Sequence, residues 1–295
     1  MKQMNTKSPF THIDSDEALA QNGAVVANPW RDLRQFTDAR IGLGRAGISL
    51  PTAELLAFQL SHAQARDAVN LPLDISRLTT LLSTTSVLEN LDPPLVVTSQ
   101  AIDRLTYLQR PDLGRKLSEH GRNQLIDYVN RNNIPNKPYD LAIVVVDGLS
   151  SLAVQNNAQP FINELITQLN ATDTPSTLAP ITLVQQGRVA IGDDIGQLLN
   201  AQIVIVLIGE RPGLSSPDSL GLYMTWAPKT GLTDAYRNCI SNIRPAGLPY
   251  QEAAKRTTYL IQQANKLKLT GVNLKDRTQD DVIEHQNNTK NFLIA

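Results

Sequence analysis

The chain has a single cysteine, Cys239, among its 295 residues. One cysteine excludes an intrachain disulfide framework and any cysteine-rich zinc or iron–sulfur site, and it fits a reducing compartment. Neither sign of charge is in surplus: 27 Lys and Arg stand against 28 Asp and Glu, a formal net charge of −1. A nucleic-acid binder needs excess cations to neutralise phosphates, so no nucleic-acid partner is expected. Long apolar runs are also missing. The longest, Leu141 to Val146 and Ile203 to Ile208, fall far short of the roughly 20 residues that span a bilayer, so no membrane partner is expected. The opening MKQMNTKSPF has a lysine but no apolar stretch behind it, which is not the pattern of a secretory signal. No H-E-x-x-H, G-x-S-x-G or P-loop occurs, so self-sufficient enzymes of those types are disfavoured.

What remains is an ordinary globular composition, 41% hydrophobic and 19% charged. Such a chain forms one or two domains of about 100–200 residues each and buries roughly three quarters of its unfolded surface. Residues 1–26 read as a loose polar arm. Residues 27–134 read as a helical N-terminal region. In it Pro51 opens a helix with Ala53, Leu56, Leu60 and Ala63 on one face, and a second helix starts near Asp112. After the Pro135–Pro138 stretch the pattern changes. Leu141 to Val146 and Ile203 to Ile208 are short, unbroken, β-branched runs, the signature of strands buried on both faces in a parallel sheet. Ile181 to Val184 and Leu222 to Trp226 read as further strands. Helices are expected from about Gln159 to Leu169, from Ile191 to Leu199 with Asp193 and Asp194 in the first turn, and from Tyr250 to Leu267. This alternation predicts an α/β fold: a helical N-terminal region followed by a Rossmann-like, mostly parallel, doubly wound domain at 135–273, with a polar tail at 274–295.

Gly42-Leu-Gly44-Arg-Ala-Gly47 has the spacing G-x-G-x-x-G, but a dinucleotide site needs a strand before it and a helix straight after. Here a charged, helix-like segment precedes and Pro51 follows, so a tight turn between helices is the better reading. Asp147-Gly148 and Gly209-Glu210 each put an acid at the carboxyl end of an apolar strand, where open α/β sheets bind ligands. Asp147 reads first as a cap on the following loop or helix. Glu210 is open between a ligand contact and a structural acid paired with Arg211, with Gly209 and Gly213 allowing close backbone approach. Cys239 reads first as a small buried hydrophobe. A catalytic thiol needs a base, and the sequence cannot place His12, His62, His120 or His285 beside it.

Six segments stand in family order: Gly44-Arg-Ala-Gly47, Tyr107-Leu-Gln-Arg-Pro-Asp-Leu-Gly-Arg-Lys116, Val146-Asp-Gly-Leu-Ser150, Gly187-Arg-Val-Ala-Ile191, Gly209-Glu-Arg-Pro-Gly213 and Cys239-Ile-Ser-Asn-Ile243. Each is weak alone; together they resemble the small (light) subunit of adenosylcobalamin-dependent ethanolamine ammonia-lyase, from about residue 27 to 273. The resemblance implies a carbon–nitrogen lyase, active only as a complex, that converts ethanolamine to acetaldehyde and ammonia by a radical mechanism. It implies a large subunit that carries the substrate chemistry, in a hetero-oligomer of several large/small pairs. It carries over cofactor contacts onto Val189, Glu210 and Cys239, and no catalytic residue or metal ligand from this chain. The D-x-H-x-x-G segment by which some cobalamin proteins ligate cobalt is missing, so the cofactor is expected to keep its own base. A cytoplasmic location follows from the resemblance. The resemblance also leaves a bacterial microcompartment open, but the arm before residue 27 is shorter than those linked to encapsulation, which speaks against it.

Overall fold

A computed structural model describes residues 28–132, 138–172 and 176–278. The expected arm, most of the Pro135–Pro138 boundary and most of the polar tail lie outside the described residues. The chain parts into two compact units, 1–61 and 62–295.

In the first unit a 3-10 helix, Pro29–Phe36, begins at Asn28, whose side chain accepts from the Trp30 N–H at 3.2 Å. The glycine segment follows as the expected turn. Gly42, Gly44 and Gly47 have φ of 60°, 76° and 64°, left-handed values that side chains resist. Helix α1 (Thr52–Asn70) then starts just after Pro51. The apolar face expected on it is exposed: Leu56 and Leu60 are 58% and 55% accessible.

In the second unit, α2 (Ile75–Ser83) leads to β1 (Leu95–Thr98), then to α3 (Arg104–Gln109), α4 (Pro111–Gly114) and α5 (Glu119–Arg131). The single helix expected from Asp112 is therefore two. The chain breaks at Arg115–Ser118, and the Ser118 hydroxyl caps α5 by accepting from the Gly121 N–H at 3.0 Å. A sheet-and-helix series follows: β2 (Tyr139–Val146), α6 (Ser151–Asn170), β3 (Thr182–Gln185), α7 (Ile191–Leu198), β4 (Ala201–Gly209), β5 (Leu220–Trp226), β6 (Arg237–Ile243) and α8 (Tyr250–Leu267). Helix α6 begins eight residues before its expected start. Its internal Pro160 and a polar first half mask the period, while Ser150 caps the true start through Ala153 N–H at 3.2 Å.

The sheet order is β1-β3-β2-β4-β5-β6. The first four strands in this order are parallel; β5 is antiparallel to β4, and β6 antiparallel to β5, so the mostly parallel sheet expected from the sequence is mixed through one reversed strand. Two strands were not expected. β1 lies inside the region read as helical, so the sheet begins upstream of residue 135. β6 carries Cys239.

Both faces of the central strands are buried, which explains their unbroken apolar runs. Alternate residues Leu141, Ile143, Val145, Ile203, Ile205 and Leu207 pack under α6 and α8, against Phe161, Leu165 and Ile261. The intervening Ala142, Val144, Val146, Val204 and Val206 pack on the other face, against Leu125 of α5 and Ile191 and Ile195 of α7. Each large side chain so buried contributes about 1.5–3 kcal/mol of apolar transfer. Helices on both faces make the domain doubly wound, and the connection leaving β2 goes to one face while that leaving β3 goes to the other. Neighbouring strands whose exits part in this way leave a crevice at their carboxyl ends, where such sheets hold ligands.

Candidate functional site at the carboxyl edge of the sheet

The loops after β2, β3 and β4 meet at this edge. Asp147 ends β2 and is 2% exposed. Of the following loop or helix that it is expected to cap, the helix is capped by Ser150 instead. The Asp147 carboxylate reaches to the neighbouring loop, accepting from the Gln186 N–H at 2.8 Å and the Gly187 N–H at 3.1 Å. Burial pushes its carboxyl up to about 6, with those two N–H groups and Arg104 pulling the other way. The loop after β4 closes on the loop after β2. A side chain at Gly209 would start 2.0 Å from the Ser150 carbonyl oxygen, and the Leu149 N–H donates to the Gly209 carbonyl at 2.9 Å. The close approach that Gly209 permits is thus to this chain's own backbone.

A cleft of about 480 Å³ opens on these loops. Val189 and Glu210 both line it, with Leu149 and Ile208 as apolar wall and Tyr107, Arg188, Arg211, Tyr223 and Asp234 as polar wall. Two of the three expected site residues are therefore brought together. The third, Cys239, is exposed, not the small buried hydrophobe that a lone cysteine suggests. It sits on edge strand β6 directly across from the cleft residue Tyr223. Its sulfur lies 3.4 Å from the Ser241 hydroxyl. Tyr223 has its phenol raised well above the ordinary value, first by burial and then by the neighbouring Cys239.

Glu210 is not paired with Arg211. Its carboxylate Oε2 accepts from the Ser219 hydroxyl and, at 3.3 Å, from the Asn242 N–H. These bonds tie the loop after β4 to β5 and β6. They fix the carboxylate at the cleft while leaving Oε1 outside them.

Sequence reasoning missed Tyr107 and Arg188. The Tyr107 ring is 1% exposed and lies between two guanidinium groups, Arg104 at 4.7 Å and Arg188 at 4.5 Å from its centroid. Burial pushes its phenol up to about 12. Arg188 Nη2 donates to the Tyr107 carbonyl at 3.1 Å, and the Arg188 N–H donates to the Gly114 carbonyl at 2.8 Å. The Tyr107–Lys116 segment is thus the floor under the Arg188–Val189 edge. The signal for it was present in the sequence only as one of the six ordered segments.

Chemically, this edge offers a fixed carboxylate acceptor, guanidinium donors and an apolar wall. The model of the ethanolamine ammonia-lyase light-chain family matches residues 27–275. This chain belongs to that family. Curated ethanolamine ammonia-lyase small subunits resemble it along nearly their whole length. The one from Pseudomonas fluorescens (strain Pf0-1) is 55% identical over 270 residues, covering 90% of this chain and 95% of the relative. That from Pseudomonas syringae pv. tomato is 51% identical over 279 residues, 94% of each chain, and that from Pseudomonas aeruginosa (strain UCBPP-PA14) is 52% identical over 273 residues. As an ethanolamine ammonia-lyase small subunit the chain is part of a carbon–nitrogen lyase, and a small subunit implies a large one. Among the described residues, no helix is long and apolar enough to cross a membrane.

Proposed function

We propose that this chain grips adenosylcobalamin along the carboxyl edge of its sheet, through Val189, Glu210 and Cys239, while the large subunit carries the substrate chemistry. The observation that carries this is the shared cleft: Val189 and Glu210 line one opening, and Cys239 stands across a strand pair from its wall. The residues fit the group. Among the described residues, buried Arg188 Nε has no hydrogen-bond partner, and Glu210 keeps one carboxylate oxygen outside its internal bonds. The rim of a corrin carries primary amides, which donate to a carboxylate and accept from a guanidinium.

When bound, the cofactor supplies a cobalt–carbon bond whose homolysis starts the conversion of ethanolamine to acetaldehyde and ammonia. This chain's work is to bind and orient. Glu210 accepts amide N–H groups, in charge-assisted bonds of about 1.5–3 kcal/mol each. Val189, Leu149 and Ile208 exclude water from the apolar side of the ring. The exposed Trp30, Phe36 and Ile48, at 67%, 78% and 104% accessibility, support a chain that works covered by a partner, which the reading assigns to the large subunit in an assembly of several pairs. A bacterial cytoplasmic location goes with it, and a microcompartment shell remains a second location.

Reconstitution tests the reading. The purified chain alone is expected to give no acetaldehyde from ethanolamine; adding the large subunit and adenosylcobalamin restores it. Turnover by this chain alone, or a two-subunit complex that retains no cobalamin, overturns it.

A further inference from the structure

We infer that Asp147 is a positioning residue for the cofactor cleft: it clamps two peptide N–H groups of the neighbouring loop and so sets the Arg188–Val189 edge on which the cofactor lies. The inference rests on the cofactor reading above.

Asp147 stands where the chain exits of β2 and β3 part to opposite faces. Loops that part leave backbone N–H groups without ladder partners, and a buried one must be satisfied from elsewhere. Asp147 does this for two in succession, one oxygen to each, Gln186 at 2.8 Å and Gly187 at 3.1 Å. Gln186 is held at φ 56°, a left-handed backbone that costs a non-glycine residue about 1–2 kcal/mol. Two bonds to an ionised acceptor offset that cost. Gly187 admits no side chain, since its first carbon would lie 2.6 Å from Val146 Cγ1. The next two residues, Arg188 and Val189, line the cleft. The loop therefore has little freedom other than what the clamp allows.

Arg104 braces the clamp from α3. Its Nη1 donates to the Gly148 carbonyl at 2.8 Å and to Gln186 Oε1 at 3.4 Å, and lies 4.0 Å from Asp147 Oδ2. Its Nε donates to the Val69 carbonyl at 2.7 Å. The charged and titratable groups facing Asp147 are thus Arg104 and Tyr107 of α3, with Arg188 beyond the Tyr107 ring. With its carboxyl raised to about 6, Asp147 is ionised above that pH and both oxygens accept. As pH falls through about 6 one oxygen takes a proton and releases its N–H, and the edge loosens. By reciprocal linkage, a bound cofactor that needs the ordered edge holds Asp147 more firmly ionised.

Equilibrium dialysis of cyanocobalamin against the assembled two-subunit complex, from about pH 5 to 8, tests this without turnover. Wild-type affinity is expected to fall as pH drops through about 6. Asp147→Asn is expected to bind about tenfold more weakly at neutral pH, the cost of a lost charged hydrogen bond, and to lose the inflection. Arg104→Gln removes the cation that holds the carboxyl down, so its inflection moves to higher pH. In turnover assays the Asp147→Asn change is expected in the KM for adenosylcobalamin rather than in that for ethanolamine. An Asp147→Asn complex with wild-type affinity and pH profile overturns the inference. If that variant fails to assemble, an unmoved Arg104→Gln inflection overturns it, as does a flat wild-type profile. Glu210→Ala, run alongside, separates the two readings. Weakened binding there with none at Asp147 removes only the clamp; no effect at either site removes the cofactor reading.

Discussion

At Glu210 one carboxylate oxygen, Oε2, takes the Ser219 hydroxyl and the Asn242 N–H. The carboxylate is thereby fixed before any ligand arrives, and little rotamer entropy is left to lose on binding. Glu210→Ala removes the acceptor and strands the ligand donors, which costs about 1–3 kcal/mol of cobalamin affinity in the reconstituted complex. Equilibrium dialysis checks it, and an unchanged affinity counts against Glu210. The same residue shows how far local pattern reaches. An acid after an apolar strand marks the ligand edge, but its partners are 9 and 32 residues away in sequence, and no local rule links it to them. Asp147 misled for the same reason: its partners are 39 and 40 residues on, while a serine three places along takes the cap that it was expected to provide.

Among the elements, β6 is the one that the pattern least revealed, although it carries Cys239 and the Asn242 N–H that holds Glu210. Of its residues Arg237, Ile240 and Ile243 are buried while Cys239, Ser241 and Asn242 are exposed. An edge strand with a polar outer face lacks the apolar run that made β2 and β4 legible. The four-residue β1 was too short to stand out. What anchors β6 is an ion pair: Arg237 donates to both Asp193 oxygens of α7, at 2.6 and 2.8 Å, with side chains 2% and 1% exposed. Burial raises the Asp193 carboxyl and Arg237 offsets part of that. Arg237→Gln leaves a buried acid without its cation, a loss of about 3–5 kcal/mol. The sign follows from proton binding. A raised carboxyl holds its proton more tightly folded than unfolded, so stability declines as pH rises above the ordinary carboxylate range. Removing Arg237 raises that carboxyl further and steepens the decline. Urea unfolding of the variant is therefore expected to show a larger deficit at neutral than at acid pH; an equal deficit at both contradicts the pairing.

For the molecule as a whole, the doubly wound core was legible because central strands must be apolar on both faces, and residues from Leu141 to Val146 do pack alternately into two cores. The first unit was legible only as helix and turn. None of its described residues, 28–61, is buried, so the amphipathic period of α1 indicates the face but not what lies on it. A chain with a full core in one unit and exposed apolar side chains in the other is built to be completed by a partner. The proposed function puts the cofactor between this chain's carboxyl edge and that partner. A structure of the assembled large and small subunits with cyanocobalamin bound tests it most directly. The expected result puts Glu210 within hydrogen-bonding distance of a corrin side-chain amide, with Val189 and Cys239 against the same cofactor. Carboxyl-edge loops that face solvent, with the corrin held elsewhere, contradict it.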